Sequence, residues 1–307
     1  MVTESIAWIA VDWGTSNLRA WGMSAAGRAV ASATSEKGMG KLARAEFPAA
    51  LEAVAARLGV EAGAAMAVLV CGMAGARQGW LEAPYIEAPA DLSGLARAAV
   101  QPEMPGSGLE VRILPGVCQR SGGDNVMRGE ETQLLGLASL HPGYAGLVCM
   151  PGTHSKWASL NGTRIERFST AMTGEVFEVL RTHSVLRHSL GEPLDGPGRE
   201  AGFAAGAADG LANPENLLGL LFRVRAGALL SDRQADWCAG YLSGLLIGTE
   251  IAAHRAEIEA EPVPLIGSTA LCRLYAQVLS MAGKSGRPVD ATEVVLAGLK
   301  AARGPLA

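Results

Sequence analysis

The sequence predicts an α/β protein built from two related domains. Three observations support this: the length of 307 residues, apolar strand-like runs mixed with helical patterns, and one strand–turn–strand layout that occurs twice. A single hydrophobic core seldom grows beyond about 250–300 residues, so the length favours two domains. Strands interspersed with helices are typical of the α/β class.

The first layout opens the chain. An apolar run at 6–13 is followed by a turn at 14–17 and a second run at 18–24, which predicts a hairpin. Another turn, at Gly27, leads into 29–35, so three consecutive antiparallel strands are expected.

The same layout recurs from residue 147. An apolar strand runs into Gly152, returns as a strand, turns at Gly162 and extends through Phe168. Between the two copies, the patterns predict a helix at 44–58 and buried strands at 65–73 and 110–117. Internal repetition predicts matching domains, and we place them at 1–118 and 119–307.

The second half of the chain has fewer local signals. Residues 241–253 predict a buried helix, and 264–266 predict a strand followed by a helix at 270–282. An exposed turn is expected at 173–175. The Arg/Gly/Ala-rich stretch 187–213 lacks clear periodicity, so loops and short helices without an assigned function are expected there.

Charge and cysteine content indicate which kinds of partner and which cellular compartment to expect. The 26 basic and 30 acidic residues give a net charge of −4 without any Lys/Arg block, which excludes the footprint typical of nucleic-acid binding. The N-terminus lacks a signal-peptide pattern, the stretch 241–253 is too short and polar for a bilayer span, and five cysteines lack CxxC spacing. We expect a cytoplasmic protein with a small-molecule partner and no membrane or nucleic-acid partner; homo-oligomer formation stays open.

The two Gly-Thr turns suit phosphate binding. A tight turn between strands exposes backbone N–H groups and a hydroxyl, which can bind phosphate oxygens. Asp12 lies beside the first turn, where its carboxylate can hold Mg²⁺ directly or through water. Either turn alone is better explained as a plain hairpin turn, but two in corresponding places favour a nucleotide site.

Asp124 is the candidate proton acceptor. It follows a Gly-rich segment and precedes the helical pattern that ends near Leu140, where Asp is also a favoured helix N-cap. A carboxylate close to a phosphate loop can accept a hydroxyl proton during phosphoryl transfer. Glu130 and Glu131 are alternatives, although their position is more typical of first-turn charges.

These residues resemble a known superfamily. The runs DWGTSN (12–17), Asp124 before a helix, and MPGTHSK (150–156) are similar to the actin, hexokinase and sugar-kinase superfamily over nearly the whole chain. More closely, four ordered segments resemble the 2-dehydro-3-deoxygalactonokinases: CGMAGARQGW (71–80), VMRGEETQLLG (126–136), MPGTHSKW (150–157) and LIGSTALCRLY (265–275).

The resemblance implies two ribonuclease H-like domains with a cleft between them that closes on the nucleotide. It implies ATP-dependent phosphorylation of the 6-hydroxyl of 2-dehydro-3-deoxy-D-galactonate, a step of galactonate breakdown, with Mg²⁺ as the metal. Two alternatives stay open: a kinase for another sugar or keto-deoxy sugar acid, and a non-catalytic nucleotide-dependent sensor of the same fold.

The resemblance also implies roles for individual residues. Asp12 would bind the metal and Asp124 would be the catalytic base, although Asn125 departs from the expected pattern by separating Asp124 from the VMRGEE segment. The phosphate and adenosine contacts would come from three groups of residues: Gly14, Thr15, Ser16 and Asn17; Gly152, Thr153, His154, Ser155 and Lys156; Gly267 and Ser268.

The acceptor's carboxylate calls for a cation in the site. Arg77 is the first candidate, because it follows a buried strand in a small-residue loop that includes Gly75 and can approach a ligand closely. An ordinary surface arginine explains the position equally well. Lys37 and Arg128 are the alternatives.

Overall fold

The computed structural model describes residues 4–191 and 196–304, which divide by their contacts into two compact units. The first comprises Met1–Tyr144, Leu160–Arg167 and Ala291–Ala307, and the second Ala145–Ser159 and Phe168–Asp290. This is not the division expected from the sequence, 1–118 and 119–307, because 119–144 and the C-terminal helix pack within the first unit.

Strands and helices are interspersed along the chain, which is typical of the α/β class. In the described residues the strands are β1 (Trp8–Trp13), β2 (Leu18–Met23), β3 (Ala29–Ser35), β4 (Met66–Gly72), β5 (Tyr85–Glu87), β6 (Ala90–Asp91), β7 (Leu109–Ile113), β8 (Gly116–Gln119), β9 (Asn125–Met127), β10 (Ala145–Met150), β11 (Ser155–Asn161), β12 (Arg164–Ala171), β13 (Val263–Ile266) and β14 (Gly286–Val289). The helices are α1 (Phe47–Arg57), α2 (Glu130–Leu140), α3 (Thr173–His183), α4 (Arg199–Ala212), α5 (Leu217–Leu230), α6 (Ala235–His254), α7 (Thr269–Met281) and α8 (Ala291–Arg303).

Each unit contains a sheet of the same strand order. In the first unit the order is β3-β2-β1-β4-β7, with β1, β4 and β7 parallel and β2 antiparallel to both of its neighbours. In the second, β12-β11-β10-β13-β14 repeats that order, again with the last three strands parallel. The predicted duplication is confirmed, and the fold is of the α/β class with two related sheets.

Two smaller pairings complete the first unit. β5, β8 and β9 form a three-stranded sheet, and β6 pairs with the start of β12 at Arg164 and Ile165. The expected strand at 110–117 is therefore two strands, β7 and β8. Pro115 lies between them, and its ring and missing N–H interrupt a continuous ladder.

Aromatic packing anchors the core of the first unit. Trp13, at the end of β1, lies 5.0 Å from Phe47 of α1, and Phe47 stacks on Trp80 at 5.9 Å. Phe47, Leu51 and Val54 share the buried face of α1, which confirms most of the helix predicted at 44–58. Trp13 directly precedes the first Gly-Thr turn, so its packing in this core fixes where the turn starts.

Glycines allow α8 to pack against α2. A Cβ at Gly136 would overlap the carbonyl of Val294, and one at Gly298 would overlap the carbonyl of Thr132. The two helix backbones therefore touch, which is why the C-terminal helix belongs to the first unit.

The stretch 187–213 corrects an expectation. It was predicted to form loops and short helices, yet Arg199–Ala212 is a continuous helix, α4. Its glycines recur every four residues, at 202, 206 and 210, and lie against the backbone of α6. Because one face of the helix carries small residues, the sequence shows no helical repeat of large apolar side chains. Tertiary packing stabilises the helix despite its glycines. Residues 192–195 lie outside the described part.

Helix α6 contains the apolar stretch that was expected to be buried. Its residues from Gly244 to Gly248 are buried, which confirms the prediction for 241–253. No helix among the described residues has the length and apolar character needed to cross a bilayer. The five cysteines are all buried and unpaired.

Candidate active site

The first Gly-Thr turn joins β1 to β2 and presents backbone amides. Gly14 N donates to Asn17 O at 2.9 Å, and the carbonyls of Gly14 and Thr15 accept from the amides of Met39 and Gly40 at 2.9 Å. The amides at 15–17 donate to no acceptor within 4–191 and 196–304, and these three residues are exposed. An exposed run of unbonded N–H groups is suited to an anion.

Gly38 supports this turn from below. Its φ of −70° and ψ of 166° are open to any residue, so backbone conformation does not require glycine. Packing does, because a Cβ at this position would overlap the backbone of Ser16 and Asn17.

We expect Gly38→Ala to displace the turn. If the turn binds the phosphates of ATP, as the resemblance implies, the kcat/KM for ATP should fall at least about tenfold, with a stability loss of about 1–3 kcal/mol from overpacking. Steady-state kinetics and thermal denaturation measure both. Gly94→Ala is the matched control, because the nearest atom to its new Cβ is 4.0 Å away. Wild-type kinetics in Gly38→Ala would show that the turn tolerates the displacement.

Asp12 lies in β1, directly before the turn, with its side chain 18% exposed. Its carboxylate accepts a hydrogen bond from Arg19, the residue opposite it in β2, and the Cys71 thiol lies 3.9 Å away. Sequence reasoning missed Arg19, although the register of a hairpin with a four-residue turn would have paired the two positions.

The surroundings of Asp12 suit Mg²⁺, which needs few protein ligands, better than a metal ion that is coordinated only by protein side chains. Among the described residues there is no group of three or more His, Cys, Asp and Glu side chains that could hold a metal ion. Mg²⁺ retains waters and is commonly held by one or two carboxylates together with substrate phosphates. A half-buried single carboxylate beside free backbone amides matches that coordination.

The start of α2 lies against the end of β4. A Cβ at Gly129 would be 3.3 Å from the Cα of Gly72, and Gly72 in turn packs beside Asp12. Glu131 is fully buried and accepts from Gly129 N at 2.7 Å. Burial, and then the charge of Glu130, raise the pKa of Glu131 to about 8. Glu130 is only partly buried and accepts from Arg128 N at 3.0 Å.

Asp124 does not cap α2, contrary to the expectation. The N-cap of α2 is Gly129, and Asp124 lies exposed in the turn between β8 and β9. Gly122 and Gly123, with φ of 80° and 118°, bend the chain so that 125–127 pairs back on β8 before the helix begins. The role of Asp124 as catalytic base stays a prediction.

The substrate candidates of the first unit occupy different environments. Arg77 has its side chain 81% exposed and pairs with Glu82 at 3.4 Å. Lys37 is also exposed, and its carbonyl accepts from the indole of Trp13 at 3.0 Å, which places it close to the first turn.

Arg128 is buried instead, at 9% exposure. Its Nη2 donates to Ala83 O at 2.8 Å, and its guanidinium lies 4.3 Å over the ring of Tyr85. Nε and Nη1 have no hydrogen-bond partner in the described part of the chain, and Nη1 faces Gly75. The structure thus brings Gly75 and Arg128 into contact, and Gly75 belongs to the loop that leads to Arg77.

The second Gly-Thr turn joins β10 to β11 in the second unit. Residues 152–154 are at least partly exposed, and no described residue accepts a hydrogen bond from their amides. Ser155 and Lys156 were predicted as ligands as well, but both are buried. The Ser155 hydroxyl bonds the hydroxyl of Tyr275 at 2.8 Å, and Lys156 Nζ donates to His154 O at 3.3 Å.

The N-terminus of α3 supports this turn. Residues 173–175 were expected to form an exposed turn, but they begin this helix. Glu175 N donates to Thr153 O at 3.0 Å, and the Glu175 carboxylate pairs with His154. A Cβ at Gly174 would lie 2.7 Å from Gly152 O, so only glycine permits this approach.

Gly267 and Ser268 follow β13, which is parallel to β10. Carboxyl ends of parallel strands meet at one edge of a sheet, so this segment lies beside the second turn, and a Cβ at Gly267 would be 2.7 Å from Pro151 O. Ser268 caps α7 by accepting from Leu271 N at 3.3 Å. The same region holds a pocket of about 160 Å³, lined by Gly152, Thr173, Gly174, Phe177, Arg199, Ser243, Leu246, Ile247, Leu271, Leu274 and Tyr275.

Comparisons with known proteins show the family of the chain. A family model described as 2-keto-3-deoxy-galactonokinase matches residues 12–302. The chain is 44% identical over 303 residues to "Probable 2-dehydro-3-deoxygalactonokinase DgoK1" of Rhizobium meliloti (strain 1021), covering 98% of each chain. It is 35% identical over 295 residues to the 2-dehydro-3-deoxygalactonokinase of Escherichia coli (strain K12), covering 95% of this chain and 96% of that one. A Sinorhizobium meliloti crystal structure given the same enzyme name matches with a TM-score of 0.90 at 43% identity, covering 97% of this chain and 99% of that one. The chain therefore belongs to the 2-keto-3-deoxy-galactonokinase family.

Proposed function

We propose that the chain is an ATP-dependent kinase that phosphorylates the 6-hydroxyl of 2-dehydro-3-deoxy-D-galactonate and so acts in galactonate breakdown. The observation that carries this proposal is the pair of Gly-Thr turns with unbonded amides, at corresponding ends of duplicated sheets, in a chain of this family. Free amides at such turns bind phosphate oxygens without any side-chain charge.

The candidate ligands of the ATP phosphates are the unbonded amides at 15–17 in the first unit and those at 152–154 in the second. The adenosine would occupy the pocket of the second unit, beside Gly267 and Ser268. Its lining is largely apolar, with a few polar groups such as Ser243 and Arg199, and such a surface suits a purine and its ribose. The buried side chains of Ser155 and Lys156 would support the turn from behind.

Asp12 would hold Mg²⁺ next to the first turn. When bound, the metal neutralises negative charge that develops on the transferring phosphoryl group. The Arg19 guanidinium forms an ion pair with the Asp12 carboxylate. The same guanidinium would also be able to bind a phosphate oxygen.

Two carboxylates compete for the role of base. Asp124 is the residue predicted from the resemblance, and its exposure leaves it accessible to a sugar hydroxyl. Glu130 is favoured by a specific observation: it directly follows Gly129, which lies against Gly72, and Gly72 packs beside Asp12. Glu131 is unsuited, because its carboxylate is enclosed and bound to Gly129 N.

The acceptor's carboxylate would bind Arg77 in the exposed loop after β4, with Lys37 and Arg128 as alternatives. Gly75 would allow the loop backbone to approach the acceptor. Arg77→Ala should raise the KM for acid substrates at least about tenfold, the loss expected for a charged hydrogen bond, while the KM for ATP stays unchanged. An unchanged acid KM would move the role to Lys37 or Arg128.

The proposed function is tested by incubating the purified protein with Mg-ATP and a panel of acceptors. The panel holds 2-dehydro-3-deoxy-D-galactonate, its C4 epimer and neutral sugars, and ADP release and product mass are measured in parallel. Phosphorylation of the first compound alone supports the proposal. Transfer to another member would keep the mechanism and replace the substrate, and a lack of transfer to every member would reject the proposal.

A further inference from the structure

The second unit contains a buried carboxylate that the proposed reaction does not use. Glu250 lies in α6 and is 6% exposed. Its Oε1 accepts from the indole of Trp157 at 2.7 Å, and its Oε2 accepts from the hydroxyl of Tyr275 at 2.7 Å and from Thr173. Three donors thus converge on one side chain.

Each donor belongs to an element that supports the second Gly-Thr turn. Trp157 lies in β11, which begins directly after the turn. Tyr275 donates its one hydroxyl proton to Glu250, so its oxygen accepts from Ser155 at the start of β11. Thr173 begins α3, whose next residues contact Gly152 and Thr153 through backbone groups.

Two of the three donors also form part of the wall of the pocket. Thr173 and Tyr275 both line it, as do Gly152 and Gly174, whereas Glu250 lies behind them. Glu250 therefore connects the wall of the pocket to the turn without reaching either surface. A carboxylate offers two oxygens with about four lone-pair sites, so one buried side chain can hold three donors at once.

We infer that Glu250 is a positioning residue for the nucleotide: by accepting hydrogen bonds from Trp157, Tyr275 and Thr173, it holds the second turn and the pocket wall in the geometry that binds ATP. This inference rests on the proposed function. Burial raises the pKa of Glu250 above its ordinary value, and the three hydrogen bonds offset only part of that rise.

Glu250→Gln tests this with little change of volume. The indole can only donate, so the amide oxygen must face Trp157, and the amide NH₂ then faces two hydroxyls that donated before. We expect the Kd for Mg-ATP, measured by isothermal titration calorimetry, to rise about tenfold, with the KM for the sugar acid unchanged.

Tyr275→Phe provides a second variant should Glu250→Gln fold poorly. It removes one donor and the link to Ser155, and it should also weaken ATP binding. Tyr241→Phe is the matched control, because it deletes a buried hydroxyl in the same unit, bonded to Asp209 at 2.6 Å. Tyr241→Phe should bind ATP as the wild type does.

The outcomes separate this inference from the proposed function. Wild-type protein that neither binds nor uses ATP would reject the proposed function. If the wild type binds ATP, then unchanged Kd values in folded Glu250→Gln and Tyr275→Phe would overturn the positioning role. Equal weakening in Tyr241→Phe would overturn it as well, because the effect would then be general loss of packing.

Discussion

Asp12→Asn is expected to lose turnover by roughly 10²–10³-fold, the range seen when one electrostatic contact to a developing charge is removed. The substitution preserves size and one acceptor oxygen, but it removes the charge that would hold Mg²⁺ and that Arg19 balances. The kcat at saturating substrates measures the loss. Calorimetric titration of ATP with and without Mg²⁺ should show that the metal no longer strengthens nucleotide binding.

Asp91→Asn is the control for this result. Asp91 belongs to the same unit and accepts from Ser93 N at 2.9 Å, with its side chain mostly in solvent, so its loss should leave kinetics unchanged. If Asp12→Asn kept its full turnover and its Mg²⁺ dependence, the metal would have to be bound by other groups.

The second large effect concerns the base. The proposal predicts that Asp124→Asn lowers kcat by about 10²–10⁴-fold while ATP binding persists, because an amide cannot accept the hydroxyl proton. Glu130→Gln is measured beside it. The pair separates the residue indicated by the resemblance from the residue that follows Gly129, the glycine that lies against Gly72.

Each outcome assigns the role. Loss in Asp124→Asn with activity retained in Glu130→Gln supports Asp124. The reverse result transfers the role to Glu130 and shows that the β8–β9 turn lies outside the chemistry. A bell-shaped or sigmoidal pH profile of kcat/KM that disappears in only one variant gives an independent assignment.

Strand positions were the most predictable part of the fold. β1, β2 and β3 were expected at 6–13, 18–24 and 29–35, and they occupy those runs to within two residues at either end. The turns between them contain glycine, and the runs are apolar, so the local signal was strong. The recurrence of this layout at β10–β12 was also visible, because both copies keep the same order of elements.

The errors arose where packing outweighed local pattern. Asp124 was interpreted as a possible N-cap. The residues after it form β9, which pairs with β8, so the helix begins only at Glu130. The sequence of α4 shows no helical repeat of large apolar residues, because the face that packs against α6 consists of glycines. In both cases the decisive contact lies elsewhere in the chain and leaves little trace in the local composition.

The sequence by itself determined the α/β class, the duplicated meander, the two Gly-Thr turns and the acidic residue before the first of them. These follow from short-range patterns of apolar residues and glycine, which act within one element. Only the tertiary structure decided which turn residues face solvent, that Ser155 and Arg128 are buried, and that Glu250 meets a donor 93 residues away. Hydrogen-bond partners of buried groups are selected by the packing of distant elements, and no local pattern encodes that selection.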